Sequence, residues 1–506
     1  MAEAEAPMPL YPKALGPFTR PVDTSTAEAQ AYMDQGFQMM YAFAHEEAPR
    51  AFREAQQRDS TCALCFWAEA WALGPYLNAR MRAENAPLAH AAIQQAMART
   101  DGQTDAVERA LIEAMAHRYE PVHEQDQRAR LDTAYADAMA EVYAAYPADL
   151  DVGPLYAEAL MLLEPRRGNW DLDKPEVQRI HEVLEALLVQ DLHHPGACHL
   201  YIHATESTTQ PEKAEACAEY LGDAIPGASH INHMPSHTFN RVGRWAEAVR
   251  ANIQAWHSDQ KAAVGEGFAI YPSHNLHMLL FAASMGGEGA VAIQAGKDYG
   301  KLIEGGVFYQ VLALVRFGRF DEVLELDDPP KSPLFRGLWD FGQGYAHLRA
   351  GHREKARKAL ERVERAARTL PPQEGFRGHS PAQLLGVVGG ILKGELLRTE
   401  GRVAAAITAF EQSVALEDSL QYDEPEPLNF SARDWLGAAL LEAGRPAEAE
   451  AVYREALRDH PRNGWSLFGL EQALRAQDRG KEAEAVHLEL ETAWAHADTW
   501  IRASRF

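Results

Sequence analysis

Three stretches of the chain carry histidines at spacings suited to metal ligation or proton transfer. The first is Cys198-His199-Leu200-Tyr201-Ile202-His203-Ala204-Thr205-Glu206. The second is His230-Ile231-Asn232-His233-Met234-Pro235-Ser236-His237, and the third is Pro272-Ser273-His274-Asn275-Leu276-His277. Imidazole is the commonest metal ligand and moves protons near neutral pH. Ten of the 21 histidines fall between His193 and His277, a density that favours a site over chance. All-imidazole shells suit zinc, copper, iron or nickel and disfavour magnesium and calcium. Three histidines with an open position form a catalytic type of shell. Seven could hold two ions, and two ions about 3.5–4 Å apart support hydrolysis or oxygen chemistry. The expected ligands are therefore His199, His203, His230, His233, His237, His274 and His277.

The spacing also says what must position them. His199 and His233 are 34 residues apart, as are His203 and His237. A period near 34 is that of tetratricopeptide repeats, in which helix pairs stack into a right-handed solenoid. The pattern wants small residues where paired helices touch and Pro where the second helix stops. Gly437, Gly444, Ala449, Tyr453, Ala456 and Pro461 fit it near the end of the chain, and Gly36, Ala48, Phe52, Ala55 and Asp59 near the start. Turns between paired helices are expected at Gly243, Gly318, Gly351 and Gly401. Sustained period-two β-branched runs are absent, so the expected fold is all-α. The reading is a tail over 1–25, a His-rich solenoid half over 26–300 and a plainer C-terminal half over 301–506. Insertions at 166–175, 262–271, 327–333 and 422–428 read as loops, the last as an extended arm.

In this frame the first helix of each pair lines a concave groove, with positions of one face following the 3.6-residue period. The seven histidines and Glu206 then point into one interior. Glu206 is placed to ligate or to carry protons, and Tyr201, Asn240 and Arg241 to orient a substrate. Pro235 cannot sit inside a helix without breaking its ladder. Either a helix starts there, leaving His230 and His233 in a loop, or the helix bends.

Composition narrows the partners. Asp plus Glu is 73 against 49 Lys plus Arg, a formal charge of −24. That balance disfavours nucleic acid and anionic membranes. No signal-peptide pattern or membrane-length apolar run is present, so a cytoplasmic chain is expected. Four cysteines, Cys62, Cys65, Cys198 and Cys217, read as no disulfide framework. Cys62-Ala-Leu-Cys65 reads as two small buried residues. Trp67, Trp71 and Tyr76 read as core.

The chain resembles bacterial tetratricopeptide-repeat proteins that carry the segment running from Pro195-Gly-Ala-Cys-His199 through His233-Met-Pro-Ser-His237 to Leu279. Its opening, Ala42 to Asn78, and its closing repeats from Ser431 also have the look of that family. The resemblance covers most of the chain and implies a fold and a shared groove, not a reaction. Together these readings lead us to expect a metal-dependent enzyme with one or two ions, copper or zinc ahead of iron. It would act on a small molecule, oxidatively with copper or iron and hydrolytically with zinc. The alternative is a scaffold that holds a peptide or protein in the same groove.

Overall fold

Gly243 and Gly444 have φ of +75° and +70°, in the left-handed region that only glycine adopts at little cost. Each ends one helix and turns the chain into the next. Where paired helices meet, one side of the contact is stripped to a hydrogen. A Cβ on Gly437 would lie 2.4 Å from the Tyr453 ring, and one on Gly36 would lie 2.2 Å from the Phe52 ring. These are the small and aromatic repeat positions marked in the sequence, now in contact. The computed structural model describes residues 7–165 and 168–506, so part of the expected 166–175 loop falls outside them. Within the described residues every regular element is helical, and strand geometry is limited to isolated bridges. The fold is all-α, built of consecutive helix pairs of the tetratricopeptide type.

The chain divides into two compact units. The first holds residues up to Thr238 together with Gln254–Pro272, and the second holds Phe239–Ile253 with Ser273–Phe506. The division expected near residue 300 thus lies further back, inside the His-rich stretch. In the first unit Phe37, Tyr41, Trp67 and Trp71 form a continuous aromatic core. In the second, Arg316 lies over the Trp465 ring, 3.8 Å from its centroid, and pairs with Asp434 at 2.6 Å.

Several expectations need correction. The described part of the expected tail is a strap. Met8 N–H donates to Glu54, Tyr11 N–H to Gln35 and Gly16 N–H to Gln38. Arg20 pairs with Asp149 and Asp151 at 2.8 and 2.6 Å. Backbone donors in an irregular segment need acceptors, and buried glutamines and carboxylates supply them. The expected arm at 422–428 is also folded in. Arg377 holds Asp423 through two hydrogen bonds of 2.5 and 2.8 Å. Finally, the cysteines are paired, Cys62 with Cys65 and Cys198 with Cys217. The second bridge ties the helix Pro195–Glu206 to the helix Glu215–Leu221.

The strap carries a pH dependence. Asp23 N–H donates to Glu108, whose other carboxylate oxygen is buried without a hydrogen-bond partner. Burial pushes this carboxyl up to about 7, with Asp23 N–H opposing the shift. The folded chain therefore holds that proton more tightly than the unfolded one, and this contribution is lost as pH rises from the ordinary carboxylate range through 7. Glu108→Gln should leave stability at pH 5 nearly unchanged and raise it at pH 8, by up to about 3 kcal/mol for a shift of this size. Urea unfolding at the two pH values checks the difference.

Candidate metal centre

The centre is built on helix ends. Helix Ala27–Tyr41 leaves its last carbonyls without intrahelical donors. One of them, Tyr41 O, accepts from His199 Nδ1 at 2.6 Å. His199 and His203 are four residues apart on the helix Pro195–Glu206, whose start is capped by the His194 ring. Gly196 lets that helix approach closely, since a Cβ there would lie 2.4 Å from the Tyr41 ring. Pro235 opens the helix Pro235–Val242, and His230 and His233 stand on a short helix of their own, Ser229–His233, not in a loop.

Glu206 joins the two histidine-bearing segments. Its Oε1 accepts from His203 Nδ1 at 2.7 Å, and its Oε2 accepts a short hydrogen bond from His237 Nδ1. All of these side chains are buried. Burial works to raise the Glu206 carboxyl, but His237 and His203 hold it well below the usual range. Burial, followed by the neighbouring charge of His203, pushes His199 well below an ordinary imidazole.

These anchors fix tautomers. His199, His203 and His237 each donate through Nδ1, so in the neutral ring Nε2 bears the lone pair. His237 Nε2 lies 2.8 Å from His233 Nε2, a hydrogen-bond distance with His233 as donor. Ser236 Oγ, 3.4 Å from His233 Nδ1, closes that chain. The His199 and His230 Nε2 atoms are also within hydrogen-bond distance, 3.2 Å apart, and that separation equally suits two ligand nitrogens about 2.0–2.1 Å from a tetrahedral ion, which lie about 3.3 Å apart. His199, His203 and His230 each offer a ring nitrogen within 4.8 Å of the others. The donor set thus fits a three-imidazole shell for a borderline-soft ion. Its outer contacts, a backbone carbonyl and a carboxylate, are those that orient metal-bound imidazoles. A void of about 10 Å³, the size of one water, touches His199 and Glu158.

The other expected site residues lie as follows. Tyr201 turns its hydroxyl to Glu185 at 2.7 Å, with its ring edge-on to His181. His274, half-buried, and His277 stand on the helix Pro272–Met285 in the second unit. There His277 Nε2 meets the Tyr309 hydroxyl at 2.6 Å. Arg241, also in the second unit, lies over the Tyr422 ring, and Asn240 donates to Met278.

Sequence reasoning missed Phe43, Tyr76 and Tyr271. The Phe43 ring lies 4.2 Å from that of His199 and is stacked on His203 and His230 at 5.9 and 5.5 Å. Tyr271 meets His230 edge-on at 5.2 Å. Phe43 and Tyr271 have φ of +59° and +56°, left-handed conformations costly for bulky residues. Tyr76, expected in the core, is half-buried and reaches the Tyr271 hydroxyl at 2.6 Å.

The tetratricopeptide-repeat family model matches residues 440–491, the closing repeat in which the sequence pattern is clearest. No curated protein matches the chain. Among solved structures it is similar to the human IFIT1 dimer with m7Gppp-AAAA, at 13% identity over 93% of this chain and 91% of that one, TM-score 0.31. A monomeric IFIT1 mutant with Gppp-AAAA gives 11% identity, 90% and 95% coverage and a TM-score of 0.34. The TPR domain of P58(IPK) gives 12% identity, 90% and 100% coverage and a TM-score of 0.22. The function proposed below rests on the geometry of the site alone.

Proposed function

We propose that this helical-repeat protein is a metalloprotein whose first unit holds a transition metal on His199, His203 and His230 and acts there on a small molecule. The observation that carries the reading is the 3.2 Å approach of the His199 and His230 Nε2 atoms, with the other ring nitrogen of His199 committed to the Tyr41 carbonyl. Copper and zinc suit the imidazole donors best, with iron third. Bound there, such an ion would supply Lewis-acid or redox chemistry. The chain's own residues do the rest. Tyr41 O orients His199. Glu206 orients His203 and His237 and makes both rings more basic. His237 and His233 form a path by which a proton passes between Glu206 and Ser236. Burial keeps bulk water from these contacts. Elemental analysis of protein purified without chelator should find at least one transition-metal ion per chain. A metal-free chain that stays metal-free on incubation with copper, zinc and iron would defeat the proposal.

Partner binding is the second reading, favoured by the repeat at 440–491. A protein or peptide retained by residues of that segment, with no metal in the chain, would replace the first reading by the second.

No helix among the described residues is long and apolar enough to cross a membrane. The paired cysteines support an oxidising compartment in place of the cytoplasmic one expected from the sequence. Unfolded without reductant, the protein should give no reaction with a thiol reagent, and four thiols after reduction. Four thiols before reduction would return it to the cytoplasm.

A further inference from the structure

The histidine centre is closed to solvent, with His199 and His230 each 1% exposed. An ion or a substrate therefore needs a way in. In the same unit a cavity of about 260 Å³ opens at the exposed side chains of Glu46, Arg80 and Arg82. Phe43, Tyr76 and Tyr271 also line it. Two of those three rings touch the histidines as well. Phe43 lies 4.2 Å from the His199 ring and is stacked on His203 and His230, and Tyr271 meets His230 edge-on. Phe43 also lines the water-sized void beside His199. The Phe43 ring is thus common to the cavity, the void and the histidines.

This aromatic wall is latched. Tyr76 meets Phe43 edge-on with centroids 5.1 Å apart, and its hydroxyl shares a hydrogen bond of 2.6 Å with that of Tyr271. Phe43 also sits in a strained backbone state. At the end of the helix Ala27–Tyr41, Ala44 N–H donates to Met39 O at 2.8 Å and Phe43 N–H to Met40 O at 2.9 Å. That pair of bonds is the Schellman ending, whose left-handed residue is usually glycine. Phe43 takes that position with φ of +59°. Glycine there would end the helix with less strain, so the turn itself does not call for the ring. Strained residues of this kind gather at ligand clamps and switches.

We propose that the cavity is the antechamber of the histidine centre and that Phe43 is its gate, held shut by the hydroxyl pair of Tyr76 and Tyr271. With the Phe43 ring swung aside, the cavity, the void and His199 become one space. With the ring returned, the centre is sealed from water, as closing elements seal other active sites. The cavity falls below the roughly 300–1,000 Å³ of pockets for drug-sized ligands, so the route admits ions and small molecules and excludes a folded peptide. The inference rests on the reading that the centre holds a metal and acts on a small molecule, and it names what controls entry to that site.

The test reads access to the imidazoles directly. The full chain, metal-stripped, is treated with diethyl pyrocarbonate, which acylates neutral imidazole nitrogens, and each histidine is followed by peptide mass spectrometry. His193, with its side chain 72% exposed, sets the rate of an open ring. His181 and His194, buried elsewhere in the unit, set the rate of a closed one. In the wild type His199 and His230 should react as slowly as the closed pair. Phe43→Gly, which suits the turn, should speed both at least about tenfold and leave His181 and His194 slow. Tyr271→Phe and Tyr76→Phe keep their rings and lose one hydroxyl of the latch, so each should speed both about fivefold, the effect of one hydrogen bond. His199 and His230 as fast as His193 in the wild type, or no selective gain in any of the variants, would overturn the inference. If Phe43→Gly speeds every buried histidine, the fold itself has opened. Selective gain in the tyrosine variants then supports the gate, and its absence overturns it. Metal content, measured on the chain as purified, keeps the two readings apart. Metal with unchanged labelling sinks only the gate, and selective labelling in a chain that takes up no metal sinks only the centre.

Discussion

The double variant His203→Ala/His237→Ala should lose its transition metal and a large part of its stability together. His203 is one of three proposed ligands, and removing a ligand should exceed the 10–100-fold loss of affinity typical of an altered outer contact. The stability effect has a different origin. Glu206 is buried, and both imidazoles that donate to its carboxylate disappear at once. Removing the partners of a buried charge costs about 3–5 kcal/mol. Adding Glu206→Gln removes the charge, so the triple variant should regain much of the lost melting temperature but none of the metal. Calorimetric unfolding and elemental analysis on the same three samples check both parts. A double variant that melts like the wild type would mean that Glu206 does not depend on these rings. Sequence reasoning placed these histidines on the wall of a concave groove, and in the structure both are buried.

The second unit offers an effect of similar size. Arg316 and Asp434 are paired at 2.6 Å with both side chains fully buried. Asp434 also accepts from Ser466 at 2.9 Å. Burial pushes the Arg316 guanidinium down and the Asp434 carboxyl up, each against the attraction of its partner. Desolvation therefore outweighs pairing on both sides. Asp434→Ala strands a guanidinium between the Trp435 and Trp465 rings and should cost about 3–5 kcal/mol. Replacing both partners, Arg316→Met with Asp434→Leu, should recover most of that loss, because the apolar pair has no charge to desolvate. Urea unfolding of the single and double variants measures the difference. A double variant as unstable as the single would mean that the pair contributes net attraction.

The fold was legible where a residue type answers one steric demand. Gly437 opposite Tyr453, and Gly243 and Gly444 at left-handed turns, follow from backbone geometry that one sequence displays. Much of the centre was legible for a similar reason, since the i, i+4 spacing of His199 and His203 places both on one helical face. Glu206 stood out as the carboxylate in that face. Its double contact with His203 and His237 was not visible, because it depends on how two helices meet. Tyr201 shows the limit of a frame count, since its hydroxyl turns to Glu185. Phe43 and Tyr271 carried no periodic signal. Their place comes from loop backbone at positive φ, which an aromatic residue does not announce. The N-terminal strap was hidden for the opposite reason. Its composition is that of a tail, and the residues that fix it, among them Gln35, Gln38, Glu54, Glu108, Asp149 and Asp151, carry no sign of that role in the sequence.

The first unit is discontinuous in the chain, since it takes up Gln254–Pro272 after the chain has supplied Phe239–Ile253 to the second. A ribosome delivers residues in order, and domains fold as units once their sequence is available. Tyr271, which meets His230, emerges 41 residues after it. The nascent histidine segment must therefore wait, incomplete, while part of the other unit is made. A chain truncated near residue 240 would contain all five histidines of the centre yet lack Tyr271, one of the residues that enclose it.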